Sequence, residues 1–298
     1  MQGAVSMLPQ ELASRIRLLE IRTDRVVEEI TGGAYRSIFK GRGIEFDEVR
    51  EYTFEDDVRM IDWNVSARMG APYIKKFIEE RELNVMFLVD VSASGSFGST
   101  ARSKRQTAAE LAALLAFSAG KNGDKTGLMM FSDRIELFLP PRSGRRHALR
   151  MIREMFAFEP QHKGTDIALA LTECARVLKK RSIIFLLSDL ISPEDYSREL
   201  KLLNRRHDVV ALKIFDPIEY RWPENMPPVD FVDSESGEVV VFDGRSEALT
   251  AELTAFQQER EAVCRDARVD MINVPNGGDV LKPVIEFFTR RRKRSKRV

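Results

Sequence analysis

Apolar positions along this chain change their spacing several times, and each change marks an element. Leu12, Ile16, Leu19 and Val26 recur at roughly helical intervals among charged residues, which predicts a helix over residues 9–30, stopped by Gly32 and Gly33. From Gly41 to Glu80 long apolar runs disappear, charge dominates, and Gly41, Gly43 and Gly70 punctuate the chain. That texture predicts turns and short strands. At Leu83 it changes again. LNVMFLVD (83–90) is a nearly continuous apolar run, as expected for a strand covered on both faces. KTGLMMFS (125–132), SIIFLLSD (182–189), DVVALKIFD (208–216) and VDMINVP (269–275) repeat that texture. Stretches of helical character separate them, at 103–120, 145–158, from Gly164-Thr165 onward, 248–267 and 280–292. A further helix is expected over 192–206, where Ser192, Pro193, Glu194 and Asp195 supply start signals. RIELFLPP (134–141) pairs naturally with the strand before it. Residues 217–245 interrupt the alternation, and PVDFVDSESGEVVVFDG reads as a hairpin turning near Glu235-Ser236-Gly237.

Apolar strands alternating with helices predict an α/β fold, a doubly wound, mostly parallel sheet of Rossmann type with helices on both faces. A length of 298 residues suits one large domain with a smaller companion. The expected division is a segment of 1–82 with a helix and β-rich part, an α/β domain over 83–290 with the hairpin of about 217–245 inserted, and a basic tail over 291–298.

Composition narrows the setting. Hydrophobic residues make up 43% and charged residues 31%, ordinary values for a soluble globular chain. Cys174 and Cys264 both fall in helical stretches, which reads as reduced core thiols and an oxidant-free compartment. No stretch approaches the roughly 18 apolar residues of a spanning helix. The opening MQGAVSMLPQELASRIRLLE lacks the apolar core of a signal peptide. The expectation is a cytoplasmic protein, monomeric by default. A net charge of +1 hides an asymmetry, because Arg290–Val298 carries seven Lys and Arg and leaves the remainder mildly acidic. Arg290–Arg297 could touch an anionic membrane weakly. A frayed, solvated helix end is the simpler reading, and no specific nucleic acid is expected.

Candidate chemistry begins at LVDVSASGSFGS (88–99), where a buried strand runs into a loop with Asp90, Ser92 and Ser94. In open parallel sheets ligands bind beyond the carboxyl ends of the strands. Two further polar clusters fall at that end: Gly164-Thr165-Asp166, and Ser188-Asp189. Two carboxylates and three hydroxyls suit a hard cation, one Mg²⁺ or Mn²⁺ per chain. The set holds no soft ligand for zinc or copper. Each cluster also has a structural reading. Ser92 and Ser94 could begin a helix, Thr165 could cap one, Asp166 suits its positive end, and Asp189 could close a turn.

Enzyme classes find little support. His147, His162 and His207 show no metal-pair spacing, and no nucleophile motif accompanies them. The phosphate-binding pattern G-x-x-x-x-G-K-[ST] is missing, which excludes ATP hydrolysis of that type. A Mg²⁺-dependent hydrolase or nuclease built on Asp90 and Asp189 remains an alternative, with no general base or second metal to name. A scaffold attached to membrane through the basic tail is another.

The order Asp90-x-Ser92-x-Ser94, then Thr165, then Asp189 resembles the metal-ion-dependent adhesion site of von Willebrand factor A domains. The resemblance implies that these five residues surround one divalent cation, some through water, and that a partner's carboxylate completes its shell. Upstream, Gly41, Gly43, Glu45, Phe46, Arg50, Tyr52, Asp57, Arg59, Ile61, Asp62, Trp63, Ser66, Ala67 and Arg68 resemble the bacterial domain-of-unknown-function 58 family, in its shorter, soluble form. That resemblance implies a non-enzymatic interaction module, an adaptor or co-chaperone for a MoxR-type AAA+ ATPase. The protein partner supplying the carboxylate would be that ATPase or its client. Within residues 41–82, a docking surface and a salt-bridged supporting subdomain are both open readings. Trp63 reads as a core residue there rather than a binding anchor.

Overall fold

The computed structural model describes residues 83–220 throughout, residues 227–295 except 233, 236 and 243–246, and residues 45–78 except 54 and 55; of residues 1–44 it describes only 14 and 16–18, which are helical. Most of the helix expected over 9–30 therefore lies outside the described residues. The chain divides into two compact units, one of Lys40–Glu82 and one of Met1–Phe39 with Leu83–Val298.

In the small unit, β1 (Glu45–Glu51) pairs antiparallel with β2 (Tyr73–Ile78), with a register shift between Phe46 and Glu48. A 3-10 turn (Val58–Met60) and a short helix α1 (Trp63–Met69) connect them. The Asp57 and Asp62 carboxylates cap these two turns, and Gly70 ends α1 in the left-handed region at φ 75°. Arg50 grips Asp56 with two hydrogen bonds, which together with Thr53 holds the Asp56 carboxyl at about 2. Trp63 departs from the expected core position and is 69% exposed. The helix is only two turns long and buries Ser66 instead, whose hydroxyl donates to Asp62 O and accepts from Tyr73 N.

In the large unit, six strands form one sheet: β3 (Asn84–Asp90), β4 (Lys125–Phe131), β5 (Ile135–Arg142), β6 (Ile183–Ser188), β7 (Asp208–Phe215) and β10 (Asp270–Pro275), in the order β10-β7-β6-β3-β4-β5. All neighbours are parallel except the edge strand β5, which folds back on β4. The strands alternate between two apolar faces. Val85, Phe87 and Val89 of β3 enter one core and Met86 and Leu88 the other. On the first face lie α2 (Lys104–Lys121), α3 (Arg145–Ala157) and α7 (Lys282–Ser295). The second face carries α4 (Ile167–Val177), α5 (Ser197–Arg206) and α6 (Glu247–Asp266). This is the doubly wound α/β sheet that the alternation of runs predicts. Helix α2 is buried nearly all round; its alanines allow close approach to the sheet, and Ser103 with Gln106 forms a capping box at its start. The inserted hairpin is β8 (Val229–Val232) against β9 (Val239–Phe242), antiparallel.

Two expected boundaries shift. The helix expected from Ser192 starts at Ser197, because the Ser192 hydroxyl lies toward Thr165 O and Ile167 N instead of capping, and Asp195 takes the Ser197 N–H. At the other end, α7 continues through the first basic residues to Ser295, and Arg291 is committed to the fold, bridging Asp208 at 2.7 Å and Asp270 at 3.5 Å. Cys174 and Cys264 are buried and free, with burial pushing their thiols to about 12 and about 11. No helix among the described residues is long and apolar enough to cross a membrane.

Candidate metal centre

Strand order reverses at β3. From there the chain runs outward through β4 and β5 on one side, and through β6, β7 and β10 on the other. The loops leaving β3 and β6 therefore diverge at their carboxyl ends, and a crevice opens between them. Asp90 ends β3, and Ser188 and Asp189 end β6, so the topology alone brings two of the three sequence clusters side by side.

A chain of oxygens follows. The Ser92 and Ser94 hydroxyls are 3.1 Å apart, and Ser94 Oγ donates to Asp189 Oδ2 at 3.0 Å. Asp90 is braced from two sides: Oδ1 accepts from the Ser92 N–H at 2.9 Å and Oδ2 from Ser188 Oγ at 2.7 Å. Asp189 Oδ1 accepts from the Ile191 N–H at 3.1 Å. A small divalent cation about 2.1 Å from its oxygens sets adjacent ligand oxygens roughly 3.0 Å apart. The two hydroxyl spacings, 3.1 and 3.0 Å, equal that edge and are also the length of the hydrogen bonds that now join these groups. Among the described residues no three His, Cys, Asp or Glu side chains gather as ligands, so a cation here must rely on hydroxyls as well as carboxylates.

None of these side chains is spent on helix capping. Ser92 makes no capping bond to the 3-10 turn Ala93–Ser96, and α2 is capped by Ser103. Asp166 caps α4 through the Leu169 N–H, which releases Thr165 from that role. The Thr165 loop is tied to the other two: Ala93 N–H donates to Lys163 O at 2.9 Å, and Ser192 Oγ reaches Thr165 O at 3.4 Å. Thr165 Oγ1 itself donates to Glu235 Oε1, at the hairpin turn, at 2.7 Å. Of the five expected residues, Asp90, Ser92, Ser94 and Asp189 are thus joined directly or through Ser188 and backbone. Thr165 joins through its backbone, with its hydroxyl on Glu235.

The electrostatics are divided. Burial, and then the Asp189 carboxylate, push the Asp90 carboxyl up to about 6. One cation is already supplied. Lys104 Nζ donates to Asp189 Oδ2 at 2.9 Å and to Glu219 Oε1 at 2.7 Å, and its side chain is 5% exposed. Burial works against that ammonium, but Asp189 and Glu219 outweigh it and raise its pKa. Arg105 and Asp90 line a small cleft together with Ser94, Lys104, Ser188 and Asp189, and the Asp90 charge acts on the Arg105 guanidinium. A metal sharing Asp189 Oδ2 with Lys104 would feel its positive charge, so affinity is set below that of the bare oxygen cluster.

A second polar network fixes the loop that carries the serines. Asp216, buried at the end of β7, accepts from the Ser99 N–H at 2.8 Å and from Asn276 Nδ2 at 3.0 Å, and Asn276 also reaches Arg102 O and Thr107 Oγ1. The loop from β3 to α2 is thereby stapled to the ends of β7 and β10.

A family model described as "Protein of unknown function DUF58" matches residues 48–263. The chain belongs to the DUF58 family. An uncharacterized relative from Mycobacterium tuberculosis is 29% identical over 288 residues, covering 95% of this DUF58 chain and 90% of the relative. Among solved structures, the conserved hypothetical protein BatB of Bacteroides thetaiotaomicron aligns with 71% of this chain and 99% of its own at 18% identity and TM-score 0.48. The VWA domain of SpRpn10 aligns with 68% of this chain and 94% of its own at 14% identity and TM-score 0.39. Both scores lie below 0.5.

Three residues hydrogen-bonded to the expected site residues, directly or through Lys104, escape a reading of the sequence, Lys104, Glu219 and Glu235, whereas Ser188 belongs to the Ser188-Asp189 cluster already expected there. Ser188 stands one residue from Asp189 and at a strand tip, a signal present in the sequence. Lys104 sits at the start of a helix and reads as a solvated charge; only the fold reveals its burial. Glu219 and Glu235 come from segments remote in sequence and carry no local signal.

Proposed function

We propose that this DUF58 chain is a non-enzymatic interaction module that docks a partner through a divalent cation. Asp90, Ser92, Ser94, Thr165 and Asp189 would hold the ion. Bound Mg²⁺ or Mn²⁺ would offer an open position to a carboxylate from the partner. The observation that carries the reading is the run of oxygens from Ser92 through Ser94 to Asp189, spaced as the edge of a small cation's shell, in the crevice where strand order reverses. This chain's own residues do the rest. Ser188 and the Ser92 N–H orient Asp90, the Ile191 N–H orients Asp189, and the Asp216–Asn276 network holds the serine loop in register.

The resemblance to the family supplies the partner class, a MoxR-type AAA+ ATPase or its client, with this chain as adaptor in the cytoplasm. The histidines support a non-enzymatic reading over metal-assisted hydrolysis. His147 is bound to Thr126 O, His207 to the Ser182 N–H, and His162 pairs at 3.9 Å with Asp133. All three have partners outside the oxygen cluster. The test is binding of the purified chain to a purified MoxR-type ATPase, in Mg²⁺ and in EDTA, with wild type and Asp90→Asn. Binding by wild type in Mg²⁺ alone is expected. Equal binding in all four conditions would remove the cation from the interface.

A further inference from the structure

We infer that this chain associates with a second copy of itself, the valine face of the β8–β9 hairpin of one copy meeting the exposed turn and helix of the other copy's small unit. The inference stands apart from the metal reading. Of the twelve large apolar side chains exposed among the described residues, four fall in 58–69 and three in 232–241. In the hairpin, Asp230 lies opposite Val241 and Val232 opposite Val239. Opposed residues share a side of a sheet, as do alternate residues of a strand, so these four side chains form one face. All four are exposed, each valine by at least 60%. Among the described residues β8 pairs only with β9, and each strand is four residues long, a pair that is marginal in water by itself. Glu235 ties the turn to Thr165, which holds the hairpin on the large unit but leaves the valine face in solvent. Covering that face would bury apolar surface that the fold of one copy leaves wet.

Charge selects what covers it. Residues 224–243 hold six acids and no Lys or Arg, and Asp230 stands on the valine face itself. The complementary surface is apolar with positive charge, and the small unit carries one. Val58 and Met60 on the 3-10 turn, and Trp63 and Met69 on α1, are exposed. Arg59 and Arg68 stand in the same two turns, also exposed, and neither guanidinium has a hydrogen bond or ion pair among the described residues. The nearby acids are used locally. Asp57 accepts from the Arg59 N–H, Asp62 from the Asn64 and Val65 N–H groups, and Asp56 is gripped by Arg50. Tryptophan, methionine and arginine are the residues that enrich the centres of protein interfaces. The exposure of Trp63, unexplained by a two-turn helix that buries only Ser66, is what an anchor for the valine face requires.

The experiment is sedimentation velocity of the intact chain in EDTA, from low micromolar to several hundred micromolar. It compares wild type with Trp63→Ala, with Arg59→Glu and Arg68→Glu combined, and with Asp230→Lys. All these side chains are exposed, so each variant should melt within about 2 °C of wild type. The wild-type sedimentation coefficient should rise with concentration, and Trp63→Ala should weaken the association about tenfold or more. Each charge variant alone should stay monomeric, because like charges then meet. An equal mixture of the two should associate again, because the reversed charges face each other while the unaltered patches still match; misfolding cannot produce that recovery. A monomer at every wild-type concentration overturns the inference. Association that all three variants retain, or a mixture of the charge variants that stays monomeric, overturns it as well by assigning the contact to other surfaces.

Discussion

Replacing Lys104 with methionine separates the two cations that this site can use. The ammonium lies 2.9 Å from Asp189 Oδ2 and 2.7 Å from Glu219 Oε1, with side-chain exposures of 5%, 7% and 30% for Lys104, Asp189 and Glu219. At such distances and an effective dielectric near 20, each contact carries roughly 5–6 kcal/mol of gross attraction. Desolvation offsets most of it, and the half-wet Glu219 contact is worth less than the Asp189 one. What methionine leaves behind decides the outcome: a buried Asp189 carboxylate without its counter-ion, a change that costs about 3–5 kcal/mol. For a unit of this size each kcal/mol moves Tm by about 2–4 °C, so Lys104→Met in EDTA should melt roughly 6–20 °C below wild type. A divalent ion restores the missing charge at Asp189 and no longer faces the ammonium. Thermal melts in a Mn²⁺ series should therefore show a larger rise in Tm for Lys104→Met than for wild type, corresponding to about tenfold tighter binding, or about 1.4 kcal/mol. A variant that melts with wild type in EDTA and gains no more from Mn²⁺ would refute the idea that the lysine and the metal compete for one carboxylate.

Asp90→Asn should abolish the Mn²⁺-dependent rise in Tm while leaving the metal-free Tm equal or higher, since burial and Asp189 make the Asp90 charge costly, and asparagine can accept from the Ser92 N–H with its oxygen while its amide nitrogen donates to the Ser188 hydroxyl; melts with and without Mn²⁺ decide it. His207 should make stability fall with acid. Its pKa is lowered to about 4 by burial and by Arg206 and Arg181, and neutral Nδ1 accepts from the Ser182 N–H. The unfolded state takes up that proton first, so the contribution is complete above pH 6.5 and is lost as pH falls toward 4. For a side chain this buried it amounts to about 2–3 kcal/mol, and urea melts of His207→Gln should lose that part of the slope. Gly98→Ala should cost about 1–3 kcal/mol, because a Cβ there would lie 2.3 Å from Arg102 O and 2.9 Å from Ser103 Cα, both backbone atoms in the loop before α2; chemical denaturation measures it, and a neutral result would mean that the loop yields.

The strands of the large unit are legible because both faces are covered. Runs such as LNVMFLVD and SIIFLLSD need no partner to be recognised, and their alternation with helices leaves few topologies. Helix α5 begins later than its start signals suggest because Ser192, by type a helix cap, is used to tie two loops together, and local propensity cannot foresee a tertiary bond. The same logic governs the centre. Asp90, Ser92, Ser94 and Asp189 lie at or just beyond strand tips, where the apolar runs end, so the hydrophobic pattern alone locates them. Lys104 and Glu235 do not, because a lysine near a helix start and a glutamate in a turn look like solvated charges until the fold brings them against Asp189 and Thr165. Trp63 fails in the opposite direction: a large aromatic suggests a core, but a two-turn helix has room to bury only Ser66.

The most direct measurement is a calorimetric titration of the intact chain with Mn²⁺, beside Asp90→Asn. One site per chain in wild type, and none in the variant, is the result expected of an oxygen cluster built around Asp90 and Asp189. No binding by wild type, or equal binding by both proteins, would contradict it and leave Lys104 as the cation this crevice was built to hold.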